Sequence, residues 1–333
     1  MKIAMAHSRF IWAGGAERFV FEVSRRLAAR HDVTIYTSEY IPADTYPGLN
    51  ELSIVNIPEW QWATTLLKED VIFTNTHGPN LLAYRNKHVA YCFHSFMNDS
   101  ATKRPDRVLR RFLDREAMKR NQRIIAYSKF AASIFQASYD RAVTDMLYYG
   151  IGPDLFDLPG KTGDYALYLG RIDPGKGLDR LVAWWQSIDY DLVVVGGGGD
   201  PDYVRSLKQC NNPRITFLGP IYGEELAKTY QNCRFFVFLP YAEALGIVAL
   251  EAMAAGKPVI AANAGGPAET VKHGTTGFLV NSEEEFCQAA SRLITSNETC
   301  QDMGTAGRQH VQQFTWDNVA RRIEEIAQEM LES

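Results

Sequence analysis

MKIAMAHSRFIWAGGAERFVFEVSRRLAARHDVTIYT, residues 1–37, holds in order an apolar run at 3–6, a loop ending in Gly14-Gly15, a helical stretch and a β-branched run at 33–37. After the glycines, Phe19, Val20, Val23 and Leu27 recur at helical spacing and fall on one face. Strand, glycine loop, helix and strand make a βαβ unit, which predicts a parallel sheet covered by helices. Further strands are expected at 71–74, 89–93, 123–127 and 143–148, with helical stretches between several of them.

The alternation begins again after a joint rich in proline and glycine, GIGPDLFDLPGKTG at 150–163. Runs at 165–169, 192–195, 215–218, 235–239 and 259–262 read as buried parallel strands, each followed by a helical pattern. A chain of 333 residues is too long for one ordinary core. The expected fold class is α/β, with two doubly wound, Rossmann-like domains at 1–155 and 156–315 facing across a cleft. The segment 316–333 carries a last helix that is free to return to the first domain. Ligands of such sheets bind beyond the carboxyl ends of the strands, so the cleft is the expected site.

Composition narrows the class. Five scattered cysteines without CxxC spacing suggest neither a disulfide framework nor a zinc site, and a reducing cytoplasm fits best. No stretch approaches the roughly 18 apolar residues of a membrane span, and the N-terminus lacks a continuous apolar leader. The net charge of −4 hides an asymmetry: residues 103–123 carry nine Lys/Arg against three Asp/Glu, a window of +6 in a chain whose remainder is −10. Such a basic stretch meets lipid phosphates or is a solvated face, and Val108, Phe112 and Leu113 give it only a narrow apolar stripe. Nucleic acid is not expected as a partner, because the acidic remainder would repel it.

Glu243 and Glu251 stand eight positions apart in AEALGIVALEAMAAGKPV. A helix over about 246–255 would be buried nearly all round, so a carboxylate within it needs a partner. As one continuous helix the two acids would be roughly 12 Å apart, able to hold opposite ends of a nucleotide sugar. The N–H groups of Leu245, Gly246 and Ile247 between them would favour a phosphate. The alternative is a core helix with Glu251 in an internal salt bridge.

GRIDPGKG at 170–177 follows a strand and nearly matches a phosphate-binding loop of the Walker A type, but Gly177 replaces the hydroxyl that would hold magnesium. Arg171 and Lys176 remain as two positive charges suited to a diphosphate, or as solvated charges on an exposed turn. The glycine run VVVGGGGD at 193–200 fails the dinucleotide fingerprint. Asp200 and Asp202 form a D-x-D, for which metal binding is the minor reading. His94 ends the strand in HVAYCFHSF, where a neutral imidazole could hydrogen-bond a donor-sugar hydroxyl or simply be structural.

Taken together, GGAERFV, YCFHSF, YSKFAASIF, YLGRIDPGKGLDRLV and EALGIVALEAMAAGKPVIAANAGGPAETVKHGTTGFLV resemble the family-4 retaining glycosyltransferases of the GT-B fold, across nearly the whole chain. The resemblance implies that Glu243 contacts the donor sugar, that Glu251 binds ribose hydroxyls and that His94 lies near the reacting sugar. It implies a diphosphate clamp of Arg171 and Lys176, assisted by the backbone at Gly246, Ile247, Gly14 and Gly15. No cofactor or metal is implied: the donor is a nucleotide-diphosphate sugar, GDP-mannose or a UDP-sugar, and the acceptor a glycan or lipid-linked molecule. The expected role is in surface polysaccharide or glycolipid synthesis, in the cytoplasm, with peripheral contact to anionic membrane through 103–123. Leu245 stands where the family often has Phe, and the first domain is short. A GT-B-like nucleotide-sugar epimerase and a catalytically silent partner subunit are the competing expectations.

Overall fold

The apolar runs become two all-parallel sheets in the computed structural model, which describes residues 1–11, 14–93, 107–152, 155–158 and 162–333. The chain divides into two compact units, Met1–Gly150 with Trp316–Ser333, and Ile151–Thr315. The boundary falls before Ile151 rather than after residue 155. Ile151 donates its N–H to the Phe314 carbonyl at 2.8 Å and bridges Thr315, which ties the start of the joint to the second unit.

In unit 1 the strands are β1 (Lys2–Ala6), β2 (Arg9–Phe10), β3 (Asp32–Thr37), β4 (Glu39–Tyr40), β5 (Ser53–Asn56), β6 (Val71–Thr74), β7 (Val89–Phe93), β8 (Arg123–Ala126) and β9 (Asp145–Met146). Seven of them form one sheet in the order β5-β3-β1-β6-β7-β8-β9, and β2 pairs with β4. Central strands align apolar on apolar, with Ile3 opposite Val33 on one side and Val71 on the other, all fully buried or nearly so. The helices are α1 (Gly15–Leu27), α2 (His77–Asn80), α3 (Arg107–Arg120), α4 (Lys129–Tyr139) and, from the end of the chain, α12 (Trp316–Glu332). α12 packs on α1, where Arg26 meets Asp317 at 2.7 Å and His31 meets Glu324 at 2.8 Å.

One sequence expectation in unit 1 needs correction. The strand expected at 143–148 is only β9, a two-residue edge pairing on β8. On α3, the inward face is Asp114, Ala117 and Met118, whereas Phe112 is 60% exposed and Leu113 half-buried. A buried polar cluster forms this inward face: Asp114 accepts from Tyr139 Oη at 2.7 Å and from Asn80 Nδ2 at 3.2 Å.

Unit 2 carries β10 (Tyr165–Leu169), β11 (Leu192–Val195), β12 (Ile215–Gly219), β13 (Cys233–Phe238), β14 (Val259–Ala262) and β15 (Gly277–Val280) in the order β12-β11-β10-β13-β14-β15. Its helices are α5 (Leu178–Trp184), α6 (Pro201–Lys208), α7 (Gly223–Asn232), α8 (Ile247–Ala254), α9 (Pro267–Thr270), α10 (Glu283–Thr295) and α11 (Asn297–Val311). Counted within each unit, both sheets begin with the Rossmann order 3-2-1-4-5-6. That order reverses direction between the first and fourth strands, β1 and β6 in unit 1 and β10 and β13 in unit 2. A crevice opens at such a reversal, beyond the carboxyl ends of the two strands.

Candidate functional site

In unit 2, β10 runs into Gly170 and Arg171, and β13 runs into the segment 239–246. The topology therefore sets GRIDPGKG beside the approach to α8. Tyr241 donates its N–H to the Gly175 carbonyl at 3.1 Å, and Arg180 donates to the carbonyls of Leu239 at 2.5 Å and Pro240 at 3.0 Å. The Arg180 guanidinium also lies 4.5 Å from the centre of the Tyr241 ring. Gly177 makes this approach sterically feasible: its φ is +66°, and a Cβ there would sit 1.8 Å from the Leu239 carbonyl oxygen.

The loops bring Lys176 and Glu243 together, with Nζ 2.5 Å from Oε2 and side-chain exposures of 22% and 16%. Such an ammonium–carboxylate pair, half-withdrawn from water, is stronger than its surface equivalent. Arg171 is not drawn into it. Its side chain is 76% exposed and pairs with Asp173 at 3.2 Å. Asp173 also accepts from the Gly175 N–H at 3.1 Å, fixing the turn that carries Lys176. Around this pair, Tyr203 and Tyr241 donate to the two oxygens of Asp179 at 3.1 and 2.9 Å. Burial and the Asp179 charge push the Tyr203 phenol up to about 12, so it remains a donor at neutral pH.

The helix of this segment matches the expected 246–255 to within a residue at each end, but it does not reach back to Glu243. α8 begins at Ile247, so Glu243 lies in the turn before it and only Glu251 is helical. The 12 Å estimate for a continuous helix therefore does not apply; from Ile247 to Glu251 the rise is about 6 Å. Gly246 makes the entry with φ +79°, between the Phe238 ring and Pro267, where a Cβ would meet Pro267 Cγ at 3.0 Å. The N–H groups of Ile247 and Val248 open the helix, while Leu245 is buried. Glu251 is 8% exposed and accepts from Tyr230 Oη at 3.2 Å. A phenol is thus one internal partner of this carboxylate, which the sequence reading had not identified.

In unit 1 the corresponding reversal is occupied by a buried polar group that the sequence reading passed over. His7, directly after β1, is 3% exposed, with Nδ1 2.7 Å from Asn75 Oδ1 and Nε2 3.1 Å from Glu17 Oε1. Asn75 follows β6 and donates through Nδ2 to the Ala16 carbonyl at 3.1 Å. Gly14 is the N-cap of α1 in extended conformation and Gly15 its first residue, so both sit at the open positive end of that helix. His94 and residues 103–106 of the basic stretch lie outside the described residues.

Within the described part of the basic stretch, α3 turns Leu109 and Phe112 outward, at 59% and 60% exposure, beside the exposed Arg111, Arg115, Lys119 and Arg120. Asp200 and Asp202 have structural work: Asp200 caps α6 by accepting from the Asp202 N–H at 2.8 Å, and Asp202 pairs with Arg205 at 2.7 Å. Among the described residues no group of three or more His, Cys, Asp or Glu is placed to hold a metal ion, and no helix is long and apolar enough to cross a membrane.

Comparisons with known proteins agree with this layout. Residues 13–155 match the family model described as glycosyltransferase family 4, and residues 157–310 match that of glycosyl transferases group 1. An uncharacterized glycosyltransferase of Methanocaldococcus jannaschii is 27% identical over 226 residues, 66% of this chain and 63% of that protein. A GDP-mannose-dependent α-(1-6)-phosphatidylinositol monomannoside mannosyltransferase of Mycobacterium tuberculosis is 37% identical over 173 residues, 46% of this chain and 45% of that protein. The chain thus spans less than two thirds of the length of either. Among solved structures, Anabaena HepE in complex with UDP-glucose superposes with a TM-score of 0.81 at 20% identity, covering 99% of this chain and 100% of that one. Sucrose-phosphate synthase from Thermosynechococcus elongatus gives 0.80 at 23% identity, covering 100% and 99%. The architecture is the GT-B fold.

Proposed function

The chain belongs to the family-4 glycosyltransferases, and on that premise we propose that it transfers a hexose from a nucleotide-diphosphate sugar to a glycan or lipid-linked acceptor, with retention and without a metal ion. The observation that carries this reading is the Lys176–Glu243 pair, 2.5 Å long, beside the start of α8 at the strand reversal of unit 2. An entering diphosphate takes Lys176 as its counter-charge and the N–H groups of Gly246 and Ile247 as donors. Glu243, released from the ammonium, then accepts from hydroxyls of the sugar. Glu251 holds the ribose hydroxyls, and Arg171, exposed on the same loop, swings from Asp173 to the phosphates. Gly14 and Gly15 offer a second place for a phosphate, at the N-terminus of α1.

In the transfer step the acceptor oxygen bonds to the anomeric carbon as the bond from that carbon to the phosphate oxygen breaks. The acceptor proton passes to the leaving diphosphate, and attack from the leaving-group side keeps the configuration. Stabilising the departing charge with fixed donors and cations is the largest catalytic contribution that this residue set offers. His94 is assigned to the neighbourhood of the reacting sugar on the family resemblance alone. The donor is GDP-mannose or a UDP-sugar; the first is the donor in the name of the M. tuberculosis relative, and UDP-glucose is bound in HepE.

We place the reaction in surface polysaccharide or glycolipid synthesis in the cytoplasm, with α3 touching an anionic membrane through Leu109, Phe112 and the surrounding arginines. Salt-sensitive co-sedimentation with anionic vesicles, lost in a Leu109→Ser/Phe112→Ser variant, is the expected outcome; equal partition with neutral vesicles contradicts it. The transfer itself is tested by screening the purified chain with GDP-mannose and UDP-sugars against diverse acceptors. New glycosidic product supports the proposal. A changed sugar nucleotide without any acceptor would instead indicate an epimerase, and no product from any pair would count for a silent subunit.

A further inference from the structure

At the opposite end of the unit 2 strands, where β13 and β14 begin, lies a cavity of about 480 Å³ that none of the roles above uses. Its lining includes Arg234, Lys257 and Arg308 and contains no Asp or Glu. The exposed Gln301, Gln309 and Gln312 stand at the rim. A volume of this size is within the range of small-molecule sites.

Each cation has a structural duty. Arg234 Nε donates to the Leu293 carbonyl at 2.6 Å near the end of α10, and its Nη2 donates to Asn297 Oδ1 at 2.7 Å. Arg308 donates through Nε to the Ala254 carbonyl at 3.1 Å, at the end of α8, and through Nη2 to Leu158 at 2.7 Å. Lys257, 1% exposed, donates to the carbonyls of Gln231 and Cys233 at 2.6 and 2.8 Å, at the end of α7. Three helix C-termini therefore converge here, and the simplest account is that the cations offset their dipoles.

Magnitudes decide against that as the whole explanation. A helix C-terminus carries roughly half a negative charge, so three contribute about −1.5 against three full positive charges in the lining. Among the described residues neither Arg234 nor Arg308 is paired with a carboxylate; their bonds go to carbonyls and to the Asn297 amide. The field is felt in the cavity wall: burial pushes the Cys300 thiol up, and Arg234 and Lys257 oppose that rise.

We propose that this cavity is a second anion site, taking a compact phosphorylated and hydroxyl-rich molecule of the hexose-phosphate class. The guanidiniums of Arg234 and Arg308 meet the phosphate, and the rim amides of Gln301, Gln309 and Gln312 meet the hydroxyls. The site is independent of the donor reading, since its residues lie at the other end of the strands and share none of that site's side chains.

Isothermal titration of the full chain with glucose 6-phosphate, in saturating UDP and GDP together so that the donor site is occupied whichever base it takes, tests this. Binding is expected for glucose 6-phosphate and, more weakly, for inorganic phosphate, and not for glucose. The variant Gln301→Glu/Gln309→Glu adds like charge at exposed positions with no structural bonds to lose, and is expected to weaken binding by about tenfold. Arg171→Ala should leave it unchanged. No binding to the wild type, equal binding of glucose, or loss in Arg171→Ala without loss in the rim variant would overturn the proposal.

Discussion

Units 1 and 2 share a strand order through their central strands, yet their reversals hold different chemistry. Between β1 and β6 the space is filled by His7, Asn75 and Glu17, buried and hydrogen-bonded to one another, next to a helix opened by two glycines. Between β10 and β13 it is bordered by Lys176, Glu243 and the start of α8, with charges that remain partly open to solvent. A fold supplies the crevice and the loops decide what enters it. The polar groups at the reversal of unit 1 are withdrawn and bonded to one another, whereas those at the reversal of unit 2 keep part of their surface open.

The largest effect expected from this contrast is at Gly177. Replacement by Ala imposes a left-handed φ on a residue with a Cβ, which alone costs roughly 1–3 kcal/mol, and drives that Cβ into the Leu239 carbonyl. Thermal melting should show a loss of several degrees together with loss of nucleotide binding. An unchanged melting curve would mean that the two loops are not held as close as described.

Next, Lys176→Ala removes a charge-assisted contact worth about 1.5–3 kcal/mol, so calorimetry with UDP and GDP should show affinity falling roughly tenfold to a hundredfold for whichever base binds. The matching change in unit 1, His7→Ala, takes away a partner shared by Asn75 and Glu17. It is expected to cost about 1–3 kcal/mol of stability while nucleotide affinity stays within about twofold. Equal losses of affinity in the two variants would erase the distinction between the units.

The smallest effect is at His310. Burial, helped by Lys272, holds this imidazole below its ordinary range, and its N–H donates to the Thr270 carbonyl at 3.0 Å. The unfolded chain then binds the proton more readily than the folded one. This residue's contribution is therefore present above pH of about 6.5 and is lost as the pH falls through the folded value. Melting curves of His310→Gln across pH 5 to 8, about the window in which histidine titrates, should show a flatter acid limb than the wild type. A steeper one would contradict the assignment.

The sheets were legible because their strands are apolar on both faces. The runs at 71–74, 192–195 and 259–262 are strands at those bounds. β5, Ser53–Asn56, escaped because it is an edge strand, exposed or half-exposed along its length, with no apolar run to mark it. The inward face of α3 is not legible from apolar spacing, which does not register a buried carboxylate held by Tyr139 and Asn80. In the site, Lys176 and Glu243 were each visible as residue types, but their pairing spans 67 positions and depends on β10 and β13 being neighbours. Arg180 and Tyr241 carried no sequence signal, since their importance lies in the carbonyls and the ring that they reach.

The central claim is that the reversal of unit 2 receives a nucleoside diphosphate. Crystals of the full chain soaked separately with UDP-glucose and GDP-mannose test it most directly. The expected result is diphosphate density from one of them at the Gly246–Ile247 end of α8, within hydrogen-bond reach of Lys176, with Glu243 turned from the ammonium to the sugar. Density elsewhere, or an intact Lys176–Glu243 pair beneath a bound nucleotide, would contradict it.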